Sequence, residues 1–285
     1  MKIQSLIHTL LLLLLSSRVL SFHAGSYGWR QNSYKGLPAK TFRRLIAARS
    51  SSTRDELSEA YVSSSRDKFK DEERSRLKRN ILQMGASYDR GYGASPSARK
   101  RADDIIQDLE DINEEADAAR GIDGDSVSPL TGSWRMVWTT AGDVLVLGAS
   151  PVAQVGAIYQ IFNPPEVTNV IDFIPRAQSL LPSVIPPSLI RAKVRTKASS
   201  RNESTNRVGL IFEAVKLQPV EFLGLDASSL PPFAADLPKI PGTPDSNRSG
   251  PGYFDVTYLD EELLIIQQNA PGGLFVLAKV DDSEP

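Results

Sequence analysis

The spacing of apolar residues changes character once along the chain, near Pro129. Before that point the pattern is helical. Residues 53–84 are charged and helix-favouring, with Leu77, Ile81 and Leu82 giving an apolar face near the end, and Gly85, Gly91 and Gly93 read as breakers. Ser95-Pro96 predicts a second helix start, Ser as the cap and Pro at the first helical position. Ala102, Ile105, Ile106, Leu109 and Ile112 then share one face, and the helix is expected to end near Arg120-Gly121.

After Pro129 the period becomes two. Trp134, Met136 and Trp138 alternate with Arg135 and Val137, as in a half-buried strand. Further strands are expected at 158–162 and 169–173. From Ile190, apolar or small residues alternate with the basic row Arg191, Lys193, Arg195 and Lys197; Val208, Leu210 and Phe212 continue after a polar turn. Three more strands are predicted at 253–259, 262–267 and 274–279. Many short strands joined by turn signals suggest a barrel or a sandwich. Pro-rich apolar stretches at 180–189 and 220–244 interrupt them. Phe222, Leu223, Leu225, Leu230, Phe233 and Leu237 are apolar enough either to cover a barrel end or touch a lipid surface, or to pack back on the domain.

Composition narrows the chemistry. The chain has no cysteine, which excludes disulfides, thiolate nucleophiles and Cys-based zinc sites. Its two histidines, His8 and His23, both fall in the leader-like start, so a processed protein lacks Ser-His-Asp and Cys-His catalysis. Asp255, Asp260 and Glu261 are close in sequence, but Asp260-Glu261 reads as a turn between strands. No nucleophile–base pair and no phosphate loop stand out. The reading is therefore a non-enzyme without cofactor or metal, and a net charge of -1 gives no reason to expect nucleic acid.

The start of the chain reads as an address. Lys2, an apolar run over 6–15 and small residues ahead of Phe22 describe a signal peptide over 1–21. That run is short for a permanent membrane span. Residues 22–52 are serine-rich, with Arg30, Lys35, Lys40, Arg43, Arg44 and Arg49 ahead of any acid, as in a transit peptide. The remainder divides into a helical preface, 53–125, and a β domain, 126–285. A secreted protein with a basic arm is the alternative, disfavoured by the lack of cysteine. The two-part leader resembles those of plastid proteins from algae with secondary plastids.

The segment 130–140, Leu-Thr-Gly-Ser-Trp-Arg-Met-Val-Trp-Thr-Thr, resembles the opening strand of the plastid lipid-associated protein (fibrillin) family. Its Gly-x-Trp is also similar to that of lipocalins, where the Trp closes the barrel floor. Residues 91–110, Gly156 to Phe162, Asn169-Val-Ile, the run from Gly252 through Tyr258-Leu-Asp260, and Gly273-Leu-Phe-Val-Leu277 follow in the family's order. The resemblance covers about 77–280. It implies a mainly β fold, a lipocalin-like antiparallel barrel preceded by an α-helical N-terminal segment. It also implies a plastid (chloroplast) location, association with plastoglobules or thylakoids, and binding of an apolar lipid, carotenoid or quinone. One departure stands out: after Asp260 the family usually carries basic residues, whereas this chain has Leu263, Leu264, Ile265 and Ile266.

Inward side chains of such a barrel line a cavity for one small ligand. The candidate lining residues are Trp134, Trp138, Phe212 and Tyr258, each also readable as ordinary core. Trp134 is the candidate floor residue, with Lys279 a possible stacking cation or a solvent-facing lysine. The basic row is either a solvated outer face or a contact for anionic lipid head groups. The alternative function is a non-catalytic module that docks an isoprenoid-biosynthesis enzyme.

Overall fold

Among the described residues all strand pairs are antiparallel, and eight strands, in spatial order β4 (Leu189–Arg201), β3 (Glu166–Pro175), β2 (Ala153–Asn163), β1 (Gly132–Thr139), β10 (Gly273–Val280), β9 (Leu263–Gln268), β8 (Gly252–Leu259) and β5 (Ser204–Phe222), form a ring closed by pairing of β5 with β4. The computed structural model describes residues 52–180, 188–236, 252–269 and 272–284, together with 182, 184 and 186. The signal-peptide reading of 1–21 and nearly all of the transit-peptide reading of 22–52 lie outside the described residues. The described residues divide into two compact units, one up to Arg76 and one from Leu77 onward. In the first, the described residues are helical, with ion pairs Arg74–Asp71 and Arg76–Glu73.

The remaining described strands are β6 (Leu225–Asp226) and β7 (Phe233–Asp236). β5 is nineteen residues long and is shared. Near its start it pairs with β8 over Arg207–Asp255 to Leu210–Gly252, and further on with β7 over Ala214–Asp236 to Leu217–Phe233. The ring thus closes on a short seam near one end. Closure satisfies backbone groups that an open edge would expose.

Helix α1 (Ser52–Ser87) runs through Gly85 instead of breaking there. A Cβ at Gly85 would lie 2.2 Å from the Val137 carbonyl oxygen, so the glycine lets the helix backbone rest on β1. Helix α2 (Pro96–Asp111) starts where the sequence predicts, with Ser95 Oγ accepting from the Ala98 N–H. It ends earlier than Arg120. Asn113 Oδ1 accepts from the Glu115 and Leu259 N–H groups, a side-chain-to-backbone pattern that competes with another helical turn. A seven-residue helix, α3 (Gly142–Gly148), joins β1 to β2.

The core lies on both sides of the barrel wall. One cluster fills the interior around Trp134, Phe162, Phe254 and Leu264. A second joins Leu77, Ile81, Ala102, Ile106 and Leu109 of the helices to Trp138, Tyr258, Leu263, Ile265 and Val276 on the outer face. A third, with Met136, Val155, Ile158, Ile171 and Phe173, occupies the interior towards α3, whose Leu147 joins it.

Candidate ligand-binding barrel

The Gly-x-Trp motif builds the floor. Trp134 is fully buried, and its Nε1–H donates to the Leu130 carbonyl at 2.8 Å. The Lys279 ammonium lies 4.7 Å from the Trp134 ring centroid and donates to the Thr131 carbonyl at 2.7 Å. Gly132 has φ +123, and a Cβ there would meet Lys279 Cε at 2.9 Å. Only glycine combines that backbone angle with room for the lysine stem. Phe162 and Phe254 meet edge to face beside this floor, centroids 6.3 Å apart.

Above the floor, register sets the inward side chains in rows. Phe162, Val167, Thr196 and Phe212 are successive cross-strand partners, as are Gln160, Asn169, Val194 and Val215. Beyond them come Ile158, Ile171, Ala192 and Leu217, then Val155, Phe173, Ile190 and Pro219. Ile190, Phe212, Leu217 and Pro219 are only half-buried, so this side of the interior reaches accessible space. It is the side where β5 has left β8 for β7.

The four sequence candidates divide between the two faces. Trp134 and Phe212 are on the inward face. Trp138 and Tyr258 are on the outward face beneath the helices, in a correction to the expected lining set. The reason is a pair of β-bulges. Register shifts between Met136 and Trp138, and between Val256 and Tyr258, so strict alternation fails at Val137 and Thr257. Met136 and Val256 still point inward, whereas Trp138 opposes Val276 and Tyr258 opposes Ile265, both outward. The same geometry explains the apolar run in β9. Leu264 and Ile266 face the interior while Leu263 and Ile265 pack under the helices, so both faces are buried.

Tyr258 has a structural partner. Its hydroxyl donates to Asp260 Oδ2 at 2.6 Å, and Lys78 Nζ donates to the same oxygen at 2.9 Å and to Glu262. Burial pushes the Asp260 carboxyl up. The Tyr258 hydroxyl, Lys78 and the backbone N–H groups of Glu262 and Leu263 outweigh it and hold the carboxyl below its usual range. Desolvation pulls Lys78 down, yet the hydrogen bonds to Glu262 and Asp260 leave it raised. Asp255 is likewise paired, accepting from Arg207 at 2.7 and 2.9 Å.

The basic row lies on the outer wall. Arg191 is paired with buried Asp172, and Arg195 with Glu213. Lys193 stands directly opposite Lys216. Desolvation, then Arg191 and Lys216, lower the Lys193 pKa. Sequence reasoning missed Gln160, Asn169 and Thr196, three polar residues on the inward rows. Their signal was polarity at positions whose alternation neighbours, Ile158, Phe162, Val167, Ile171 and Val194, are apolar.

Among known proteins, the chain is 27% identical over 232 residues to probable plastid-lipid-associated protein 10, chloroplastic, of Arabidopsis thaliana, spanning 71% of this chain and 76% of that one. It is 28% identical over 198 residues to plastid-lipid-associated protein 6, chloroplastic, of the same plant, spanning 66% and 65%. No solved structure matches. The PAP_fibrillin family model matches residues 75–278, which takes in the end of α1, α2 and the barrel as far as Ala278 in β10. By that match over most of its length, the chain belongs to the PAP_fibrillin family.

Proposed function

We propose that this protein is a non-catalytic carrier or structural protein of the plastid that holds an apolar lipid or isoprenoid, such as a carotenoid or quinone, inside its barrel. The observation that carries the reading is the interior itself. It is closed at the Trp134–Lys279 floor, lined by rows that are apolar except at Gln160, Asn169 and Thr196, and half-open at Phe212 and Leu217. Burying a hydrocarbon there contributes about 25 cal/mol per Å² of apolar surface removed from water. The non-catalytic reading is supported by the tied state of the carboxylates near the floor, Asp255 with Arg207 and Asp260 with Tyr258 and Lys78.

The plastid assignment is supported by the names of the two relatives and by the basic, acid-free stretch after the apolar start. Contact with a plastoglobule or thylakoid surface would be peripheral on this reading. Among the described residues no helix is long and apolar enough to cross a membrane. Phe222, Leu225, Leu230 and Phe233, on and beside β5, β6 and β7, are each about half exposed or more, and Lys193 and Lys216 lie on the same long strand pair. An apolar tip beside cations suits an anionic lipid surface.

The test is to expose the full chain to a total plastid lipid extract, repurify it and identify co-eluting molecules by mass spectrometry. One enriched lipid or isoprenoid supports a carrier. A folded protein that elutes empty contradicts it and turns the search to protein partners.

A further inference from the structure

Resting on the barrel-binding reading above, we infer that Gln160, Asn169 and Thr196 form a polar collar that selects an uncharged oxygen head group, a hydroxyl or carbonyl, on a long apolar chain. Gln160 and Asn169 are direct cross-strand partners on β2 and β3. Thr196 is diagonal to Asn169, because Asn169 opposes Val194 and Val167 opposes Thr196. Gln160 also opposes Trp134, so the collar stands beside the floor tryptophan.

Each residue is out of place in an apolar interior. Thr196 is fully buried, and among the described residues its Oγ1 has no hydrogen-bond partner. Gln160 is 7% exposed and Asn169 half-buried, and among the described residues no side chain holds either amide. A buried hydroxyl without a partner costs free energy that a valine of the same shape would avoid. A ligand oxygen between the amides and the hydroxyl would recover that cost, because amides and a hydroxyl donate and accept alike.

The choice of an uncharged head follows from the neighbours. Among the described inward positions of β2, β3, β4 and β5 between Val155 and Leu217, none is charged. Lys279, at the floor, is committed to Trp134 and the Thr131 carbonyl. A carboxylate or phosphate there would be desolvated with no cation beside it, which is strongly unfavourable.

The test is displacement of Nile red from the full chain by hexadecanol, hexadecane and, at mildly alkaline pH, hexadecanoate. Transfer from water alone favours the alkane, so a preference for the alcohol reports hydrogen bonding. The native protein is expected to bind hexadecanol about tenfold more tightly than hexadecane, with hexadecanoate weaker than the alcohol. Gln160→Leu with Asn169→Leu is expected to erase the alcohol's advantage while keeping or tightening hexadecane. Thr196→Val, nearly isosteric, narrows the gap by itself and serves if the double variant does not fold. Equal binding of alcohol and alkane by the native protein, an unchanged gap in the variants, or tightest binding of hexadecanoate each overturn the collar and leave barrel binding standing. Failure of the folded native protein to bind Nile red, or of all three ligands to displace it, overturns barrel binding and the collar with it.

Discussion

The Lys279 ammonium sits 4.7 Å from the centroid of the Trp134 ring, held there by a 2.7 Å hydrogen bond to the Thr131 carbonyl. The first and last strands of the barrel are thereby pinned at the floor, where Trp134 and Lys279 are also register partners. Lys279→Met keeps most of the stem and removes the charge. It is expected to lower stability by about 1 kcal/mol in urea unfolding. Gly132→Ala should cost more, about 2 kcal/mol, because it adds a Cβ against the lysine stem at a positive φ.

Gly85 makes a second close approach. On helix propensity alone, Gly85→Ala should stabilise α1 by up to about 1 kcal/mol. Overlap with the Val137 carbonyl reverses the sign, and a net loss of about 2 kcal/mol is expected. Gly93→Ala is the control: its Cβ would meet only the Tyr88 carbonyl, at 3.6 Å, so its unfolding midpoint should barely move.

The Tyr258–Asp260–Lys78 network predicts a pH signature. The folded Asp260 pKa is depressed, so its contribution is present above the unfolded value of about 3.9 and lost as pH falls through the folded one. Asp260→Asn should reduce stability at neutral pH by about 1–3 kcal/mol and flatten the acid limb below about pH 4. The folded Lys78 pKa is raised, so its contribution is full below about 10.4 and lost as pH rises through the folded value. Glu110 has the opposite sign to Asp260. Burial raises its pKa against a hydrogen bond from Thr257, so its ionisation costs stability above about pH 4.3. Glu110→Gln should therefore be neutral or stabilising at pH 7, as urea unfolding across pH would show.

Much of this fold was legible in the sequence, because alternation and Ser-Pro capping act locally. The strands around Trp134, Ile190 and Tyr253 and the start of α2 come from such signals. Bulges do not announce themselves that way. One extra residue at Val137 and one at Thr257 sent Trp138 and Tyr258 to the wall's other face, and only the registers of β10 and β9 reveal it. The apolar run of β9 became intelligible once helices were seen to cover its outer side. Helix α3 was missed because seven residues with one contiguous aliphatic run, Val144 to Leu147, carry too little helical period.

Two tryptophans four residues apart on opposite sides of one barrel wall allow the central claim to be tested directly. The measurement is quinone titration of two single-tryptophan forms of the full chain, one retaining Trp134 and one Trp138, each with Trp29 and the other tryptophan replaced by Phe. If the ligand occupies the barrel, Trp134 fluorescence is quenched saturably while Trp138, beneath α1 and α2, changes little. Saturable quenching of Trp138 with Trp134 unaffected, or of neither, would contradict an interior binding site.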